Sequence, residues 1–326
     1  MNIQSPRPRA AGASTVSQIT KPSAPHLITD LDLSCEEVLS LLDLAAKLKR
    51  LPRKYAHALT GRYLALLFEK PSLRTRMTFE LAMKQLGGDA VFTEFNGHGI
   101  GGREPVKDVA RNLERWVHGI VARTREHRTV EELARWASIP VINALSDRYH
   151  PCQALADFFT LQEKFRDLGG LKIAFVGDGN NVAHSLMLGA ARLGVDVAIA
   201  TPGGYQPEAD IVSAAQGLAA ASGSSVRLTT DPMTAVEDAH AVYTDVWASM
   251  GQENEARQRR KVFAPFQVTE ALMAAARPGA LFMHCLPAHR GEEVSDAVIE
   301  SAASVVFDQA ENRLHVQKAL LLLMLS

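Results

Sequence analysis

The chain has 326 residues, 47% of them hydrophobic, a formal net charge of −1 and three cysteines. That length predicts two domains with sizeable interiors, and the near-zero charge excludes the basic surface of a nucleic-acid binder, so any bound phosphate is small and held locally. Cys35, Cys152 and Cys285 are odd in number and lack CxxC spacing, which points away from a disulfide framework or a zinc knuckle and toward a reducing, cytoplasmic setting.

In chain order, residues 1–25 hold Arg7, Arg9 and Lys21, no acid, and prolines at 6, 8, 22 and 25. The prolines oppose the amphipathic helix of a transit peptide, and the segment is expected to be a disordered tail. From Leu31 onward short apolar runs alternate with helical stretches, the rhythm of parallel α/β folding. Strands are predicted at 62–67, 89–93, 118–122 and 140–143, and a second series at 171–176, 195–200, 225–229, 240–244, 280–284 and 304–307. The expected fold class is α/β, with two similar domains, each a mainly parallel sheet flanked by helices. His150 to Arg166 reads as the linking helix, because Ala154, Leu155, Phe158, Leu161 and Phe165 keep helical spacing until Gly169-Gly170. The terminal run Ala319 to Leu325 is shorter than the ~18 apolar residues that suggest a membrane span, and is expected to end a helix docked on the core.

Several polar clusters fall at predicted strand ends, where open parallel sheets hold their ligands. FEKPSLRTR, residues 68–76, follows an apolar strand and opens a helix. Ser72 takes the N-cap place, the unpartnered N–H groups and helix dipole favour an anion, and Arg74 and Arg76 add forks suited to phosphate oxygens. The alternative is a capped surface helix with solvated arginines. Arg123 ends a strand where it could reach the same anion, or serve as a surface ion-pair partner. His150 and Gln153, one turn apart at the start of the linking helix, could bind a carbonyl oxygen and an adjacent NH₂; the alternative is a helix cap with a partly buried histidine. The glycine-rich GDGNN, residues 177–181, invites a dinucleotide, but Val182 stands where a third glycine belongs and no acid ends the next strand. Asn181 could instead hold a small polar substrate, and Asp245 suits an ammonium or α-amino group. His284 and Cys285 are adjacent on a strand and point to opposite faces, so a Cys/His nucleophile is disfavoured, and with His289 they match no common zinc spacing; no metal is assigned.

Taken together, FEKPSLRTR, VART, HPCQALAD, GDGNN, DVWASMGQE, HCLPAHRGEEV and AENR resemble, in the same order, the ornithine carbamoyltransferases of the aspartate/ornithine carbamoyltransferase family, over nearly the whole chain after about residue 27. The resemblance implies a carbamoyl phosphate domain over 26–152 plus 309–326, an ornithine domain over 153–308, and a final helix that crosses back. It implies carbamoyl phosphate held by Ser72, Leu73, Arg74, Thr75, Arg123, His150, Gln153, Cys285, Leu286 and Arg313. Ornithine would be held by Asn181, Asp245, Ser249 and Met250, with Arg74, Arg123, His150, Asp245 and Cys285 at the chemistry. No cofactor, metal, nucleic acid or membrane partner is implied, and a homotrimer or a multiple of trimers is.

Three departures stand out. Leu73 replaces a frequent threonine; Gly99 stands where related chains often place a Gln or His that reaches a neighbouring subunit's site, with His98 one residue earlier; and DVAR at 108–111 replaces DTAR. The expected reaction is attack of the neutral ornithine δ-amine on carbamoyl phosphate, giving citrulline and phosphate. Putrescine or N-acetylornithine are alternative acceptors, and aspartate is disfavoured by the SMG and HCLP motifs. From other classes, a nicotinamide-dependent oxidoreductase and a non-catalytic phosphate-binding protein are the rivals.

Overall fold

The computed structural model describes residues 21–95, 97–248 and 255–326. In chain order the first unit runs α1 (Cys35–Arg50), β1 (Tyr63–Phe68), α2 (Leu73–Gln85), β2 (Asp89–Glu94), α3 (Val106–Leu113), β3 (Gly119–Arg123), α4 (His127–Trp136) and β4 (Val141–Leu145). The linking helix α5 (Pro151–Phe165) leads to β5 (Lys172–Val176), α6 (Asn181–Arg192), β6 (Asp196–Ala200), α7 (Ala209–Ser222), β7 (Val226–Thr229), α8 (Pro232–Val236) and β8 (Ala241–Thr244). After these come α9 (Ala256–Phe263), α10 (Glu270–Ala274), β9 (Leu281–His284), α11 (Asp296–Ile299) and α12 (Val306–Leu325).

Both sheets are wholly parallel, in the orders β2-β1-β3-β4 and β7-β6-β5-β8-β9. Their inner strands are apolar along their length because helices cover both faces; all five residues of β3 and all four of β8 are buried. The predicted strands thus appear within a residue or so of their expected bounds, except 304–307. There the chain makes only two backbone bonds to β9, Phe282 N–H to Ala303 and Val305 N–H to Phe282, before Val306 turns into α12, so its apolar residues serve a helix start instead of a strand. Of the expected tail, residues 1–20 lie outside the described residues, and Leu27 already pairs with Ile142 beside β4. The linking helix ends at Phe165, before the glycines, with Arg166 in a positive-φ cap at φ 69°.

Helix α12 returns across the molecule to pack on α1, α2 and α5, and its last seven residues, Ala319 to Leu325, are buried as expected. One apolar core consequently runs through both units. It takes Leu66, Phe68, Val121 and Ile142 from the first sheet, Ile173, Phe175, Val197 and Tyr243 from the second, and Phe158, Leu161, Leu320 and Leu321 from the helices between. Among the described residues no helix is long and apolar enough to cross a membrane.

Candidate active site

Strand order reverses direction at two places, between β1 and β3 and between β5 and β8, and such switch points open crevices at the carboxyl ends of the strands. The segment after β1 carries Ser72, and its register partner across the crevice, β3, ends in Arg123 opposite Phe68. After β5 come Asp178, Asn180 and Asn181, and after β8 comes Asp245. Helix α5 begins beside the first crevice, and α12 brings Arg313 to it.

Ser72 is the N-cap of α2 and accepts the Thr75 N–H at 3.2 Å. Thr75 is buried and its Oγ1 accepts from Arg313 Nη2 at 3.0 Å, while Arg313 Nη1 donates to Gln153 Oε1 at 2.6 Å. Three arginines converge here: burial first, then Arg313 and Arg74, push the Arg123 guanidinium down to about 10, and Arg74 is lowered by burial. Like charges gathered in a crevice disfavour one another, and an anion among them would relieve that repulsion. The Nε of Arg123 and of Arg313 have no protein partner. His150 is buried with Nδ1 unpartnered, and burial together with Arg313, Arg123 and Arg74 holds its imidazole well below its ordinary range, so it is neutral at pH 7 and able to donate a hydrogen bond without adding charge.

Gln153 is fixed from its other end. Its Nε2 donates to Asp157 Oδ1 at 2.8 Å, which also accepts Gln309 Nε2 at 2.8 Å, and Asp157 Oδ2 accepts the Tyr243 hydroxyl at 3.1 Å. Gln309 Oε1 in turn accepts the His284 N–H at 2.9 Å. This buried network joins α5, α12, β8 and β9, and burial pushes Asp157 up to about 7 against the three donors that hold it down.

The second half of the site is acidic and amide-lined. Asp245 Oδ1 accepts its neighbour Val246 N–H at 2.8 Å and the Cys285 thiol at 3.0 Å, and Oδ2 accepts Asn180 Nδ2 at 2.8 Å. Burial, then Asp245, drive the Cys285 thiol well above its ordinary range, so it stands as a protonated donor and not as a thiolate nucleophile. A ring nitrogen of His284 lies within 4.8 Å of the Cys285 Sγ, nearer than opposite strand faces would place it because β9 ends at His284, but both nitrogens of the His284 ring are taken by other partners. Its Nδ1 accepts the Leu286 N–H at 2.8 Å and its Nε2 faces Glu293 Oε1 at 3.1 Å, both groups fully buried. That pair shapes the turn that carries Cys285 and Leu286, the latter at φ 58°. Asp245, His284 and Cys285 do bring possible ligand atoms within 4.8 Å of one another, but both His284 nitrogens already have protein partners, so the trio is a poor metal cage.

Asn181 opens α6 and donates Nδ2 to the Ser146 carbonyl at 2.6 Å, leaving its Oδ1 for a ligand. Asn180, which the sequence did not single out, N-caps α6 through Oδ1 and reaches Asp245 through Nδ2. The backbone of Tyr205 to Pro207 covers Gly179, where an added Cβ would lie 2.3 Å from Pro207 N, so the surface a dinucleotide pyrophosphate needs is occupied. Ser249 and Met250 lie outside the described residues. Leu73 is an exposed side chain at the first turn of α2, and Leu286 is half-buried.

Two expectations change. Arg76 does not join Arg74; it pairs with Glu80 Oε1 at 2.9 Å and lies 3.8 Å above the Phe92 ring, exposed, because residues two apart on a helix do not share a face. Gly99 has a local cause: its φ is +73° and a Cβ would meet Glu69 Oε1 at 2.8 Å. Glu69 accepts the Ile100 N–H at 2.6 Å and the Arg125 N–H at 2.7 Å, tying the loop after β2 to the end of β3, while His98 projects into solvent. Val109, in the altered DVAR, is buried beneath this loop, and Arg111 lies 4.6 Å above the Trp136 ring.

Comparison with known proteins places the chain among relatives of one family. The carbamoyl-P binding domain of the aspartate/ornithine carbamoyltransferases matches residues 25–163, and their Asp/Orn binding domain matches residues 169–324. The chain is 53% identical over 296 residues to an ornithine carbamoyltransferase of Pyrococcus abyssi, covering 90% of this chain and 93% of that one. It is 52% identical over 296 residues to an anabolic ornithine carbamoyltransferase of Pyrococcus furiosus, covering 90% and 94%. The solved ornithine carbamoyltransferase structure from Pyrococcus furiosus superposes with a TM-score of 0.90 at 50% identity, covering 94% of this chain and 99% of that one. With the two domain models matching residues 25–163 and 169–324 and relatives 52–53% identical over 90% of its length, the chain belongs to the aspartate/ornithine carbamoyltransferase family.

Proposed function

We propose that the protein transfers the carbamoyl group of carbamoyl phosphate to the δ-amine of L-ornithine, giving L-citrulline and phosphate, as a step of arginine biosynthesis. The observation that carries this reading is the pairing of a cationic crevice, built on Ser72, Arg74, Thr75, Arg123 and Arg313, with an acidic one built on Asp245 and Asn181 across α5. The first suits a phosphate ester and the second an amino acid.

In this reading the helix start at Ser72, with the Leu73 backbone, holds the phosphate, and Arg74 and Arg123 neutralise charge as the C–O bond to phosphate breaks. Neutral His150 donates to the carbamoyl oxygen, on which charge develops, and Gln153 and the Leu286 backbone hold the carbamoyl NH₂. Asp245 takes the α-ammonium of ornithine, with Asn181, Ser249 and Met250 beside it, and the protonated Cys285 lines the path of the δ-amine without acting as a base. The amine attacks in its neutral form, and the proton it sheds passes to the departing phosphate. Holding two substrates in attack geometry is worth up to ~7–11 kcal/mol in favourable cases, and closing the crevice between the domains, 26–152 with 309–326 and 153–308, would exclude water.

The working form we propose is a homotrimer in the cytoplasm. Leu73, Met77 and Leu81 along α2, with Val91 on the edge strand β2, are exposed apolar side chains, a surface suited to another copy, and the three cysteines are free thiols. The test is phosphate release from carbamoyl phosphate with ornithine, putrescine, N-acetylornithine or aspartate, each ureido product weighed by mass spectrometry. Turnover with ornithine alone is expected; turnover with another amine and not ornithine refutes the acceptor assignment.

A further inference from the structure

His150 holds its backbone in a non-helical conformation, φ −135° and ψ 61°, at the start of α5, and its side chain caps nothing. What fixes that backbone comes from elsewhere. Its N–H is donated to Ser185 Oγ on α6 at 2.8 Å, and the Ser185 hydroxyl is donated to Asp30 Oδ2 at 2.5 Å. Ser185 is buried. Asp30 lies in the segment between Leu27 and α1, and Arg192, two turns along α6 from Ser185, supplies a neighbouring positive charge while donating to the Leu33 carbonyl. Asp30 and Arg192 border a cavity of about 20 Å³ walled by Leu27, Pro151, Leu155 and Phe158, room for one water at most.

We propose that Asp30 and Ser185 are positioning residues for His150: the carboxylate accepts the hydrogen bond of the Ser185 hydroxyl, which turns a Ser185 lone pair onto the His150 N–H and fixes the backbone from which the imidazole reaches the carbamoyl oxygen. The chain of bonds joins three places that must stay in register, the amino-terminal segment, the start of the linking helix and the second domain. A hydroxyl that donates to Asp30 while accepting the His150 N–H has its rotor fixed, so the geometry is set before substrate arrives. Were Asp30 protonated, its own O–H would point at Ser185 Oγ and the serine proton would lose its acceptor. The titratable and charged groups facing Asp30 are Arg192 on α6, Asp32 on its own segment, Tyr149 ahead of α5 and Cys152 within it. Among these, burial dominates and raises Asp30 to about 7, so the bond directions drawn here belong to the alkaline side of neutrality.

This inference rests on the carbamoyl-transfer reading, and the experiment separates the two. Citrulline formation and carbamoyl phosphate binding by calorimetry are measured from pH 6 to 9 for the full-length wild type, Asp30→Leu, Asp30→Asn, Ser185→Ala and the Asp30→Leu/Ser185→Ala double variant. Asp30→Leu and Ser185→Ala should each lower kcat about 5- to 30-fold, the loss of one buried hydrogen bond that orients a reacting group, and weaken carbamoyl phosphate binding, with KM for ornithine unchanged. The double variant should be no worse than the poorer single one, because both break one chain. Asp30→Asn keeps an acceptor oxygen and should restore kcat at pH 8 while erasing the inflection near pH 7. Single variants that match the wild type, or losses that multiply in the double variant, overturn the proposal; a wild type that binds carbamoyl phosphate and makes no citrulline overturns the reaction instead. If Asp30→Leu fails to fold, Ser185→Ala and the pH profile of Asp30→Asn still decide.

Discussion

Asp157 makes the most quantitative demand on the structure. It is fully buried, accepts hydrogen bonds from Gln153, Gln309 and Tyr243, and is raised from its ordinary 3.8 to about 7. A carboxyl whose folded pKa lies above its unfolded value binds its proton more tightly when folded, so its contribution to stability declines as pH rises through the window from about 4 to about 7. With about 1.4 kcal/mol per pKa unit, the stability lost relative to strongly acid pH is about 2 kcal/mol at pH 5 and about 4 kcal/mol at pH 8, a difference of about 2–3 kcal/mol between the two. Asp157→Asn removes the titration while its remaining oxygen still serves Gln153 and Gln309. Urea unfolding of wild type and variant at pH 5 and pH 8 should therefore show the wild type losing about 2–3 kcal/mol more than the variant across that range. Asp157→Ala is the opposite perturbation: it strands three buried donors at about 1–3 kcal/mol each, and should be destabilised at both pH values and slowed in turnover because Gln153 and Arg313 lose their support. Equal pH dependence in wild type and Asp157→Asn, together with an Asp157→Ala protein as stable as wild type, would refute the network argument.

Arg74→Ala should weaken carbamoyl phosphate binding at least about 10- to 100-fold in calorimetry, from charge-assisted bonds of about 1.5–3 kcal/mol, with an unchanged circular dichroism spectrum; undiminished turnover would remove Arg74 from the site. Since the Cys285 thiol is held protonated by burial and Asp245, iodoacetamide at pH 8 should modify exposed Cys35 well before Cys285, and Asp245→Asn should speed the Cys285 reaction; peptide mass mapping reads both, and labelling of Cys285 as fast as Cys35 contradicts the assignment. Gly99→Gln should destabilise the protein by about 1–2 kcal/mol, because the position is left-handed and Glu69 fills the space a side chain needs; a thermal melt no lower than wild type would show that the loop relaxes without strain.

The sheets were legible because strands covered on both faces must be apolar along their length, and β1, β3, β5 and β8 are. The same rule misled at Ser304 to Phe307, whose valines begin a helix. Ser72, Arg123, His150 and Asp245 were legible for a different reason: Arg123 ends a strand, Asp245 follows one at once, and Ser72 and His150 open the helix after one, so chain order alone puts each at a sheet's carboxyl edge. Asp157, Tyr243, Gln309 and Glu293 were not, since Asp157 meets its partners across 86 and 152 residues of chain and nothing local marks either end. Asn180 was overlooked beside Asn181 because only the three-dimensional path of α6 decides which of two adjacent amides turns toward Asp245. Arg76 shows the limit of motif reading, for its two-residue spacing from Arg74 sends it around the helix to Phe92.

The apolar interior that passes without a break from the first sheet through α5 and α12 to the second means that this polypeptide cannot be divided into two self-sufficient modules. Cutting the connection after Phe165 would strip α12 of the surface it covers and lay bare Leu320 to Leu322 along with the inner face of the first sheet. Heating should accordingly give one heat-absorption peak and not two, and a damaging substitution in either half should lower the melting point of the whole.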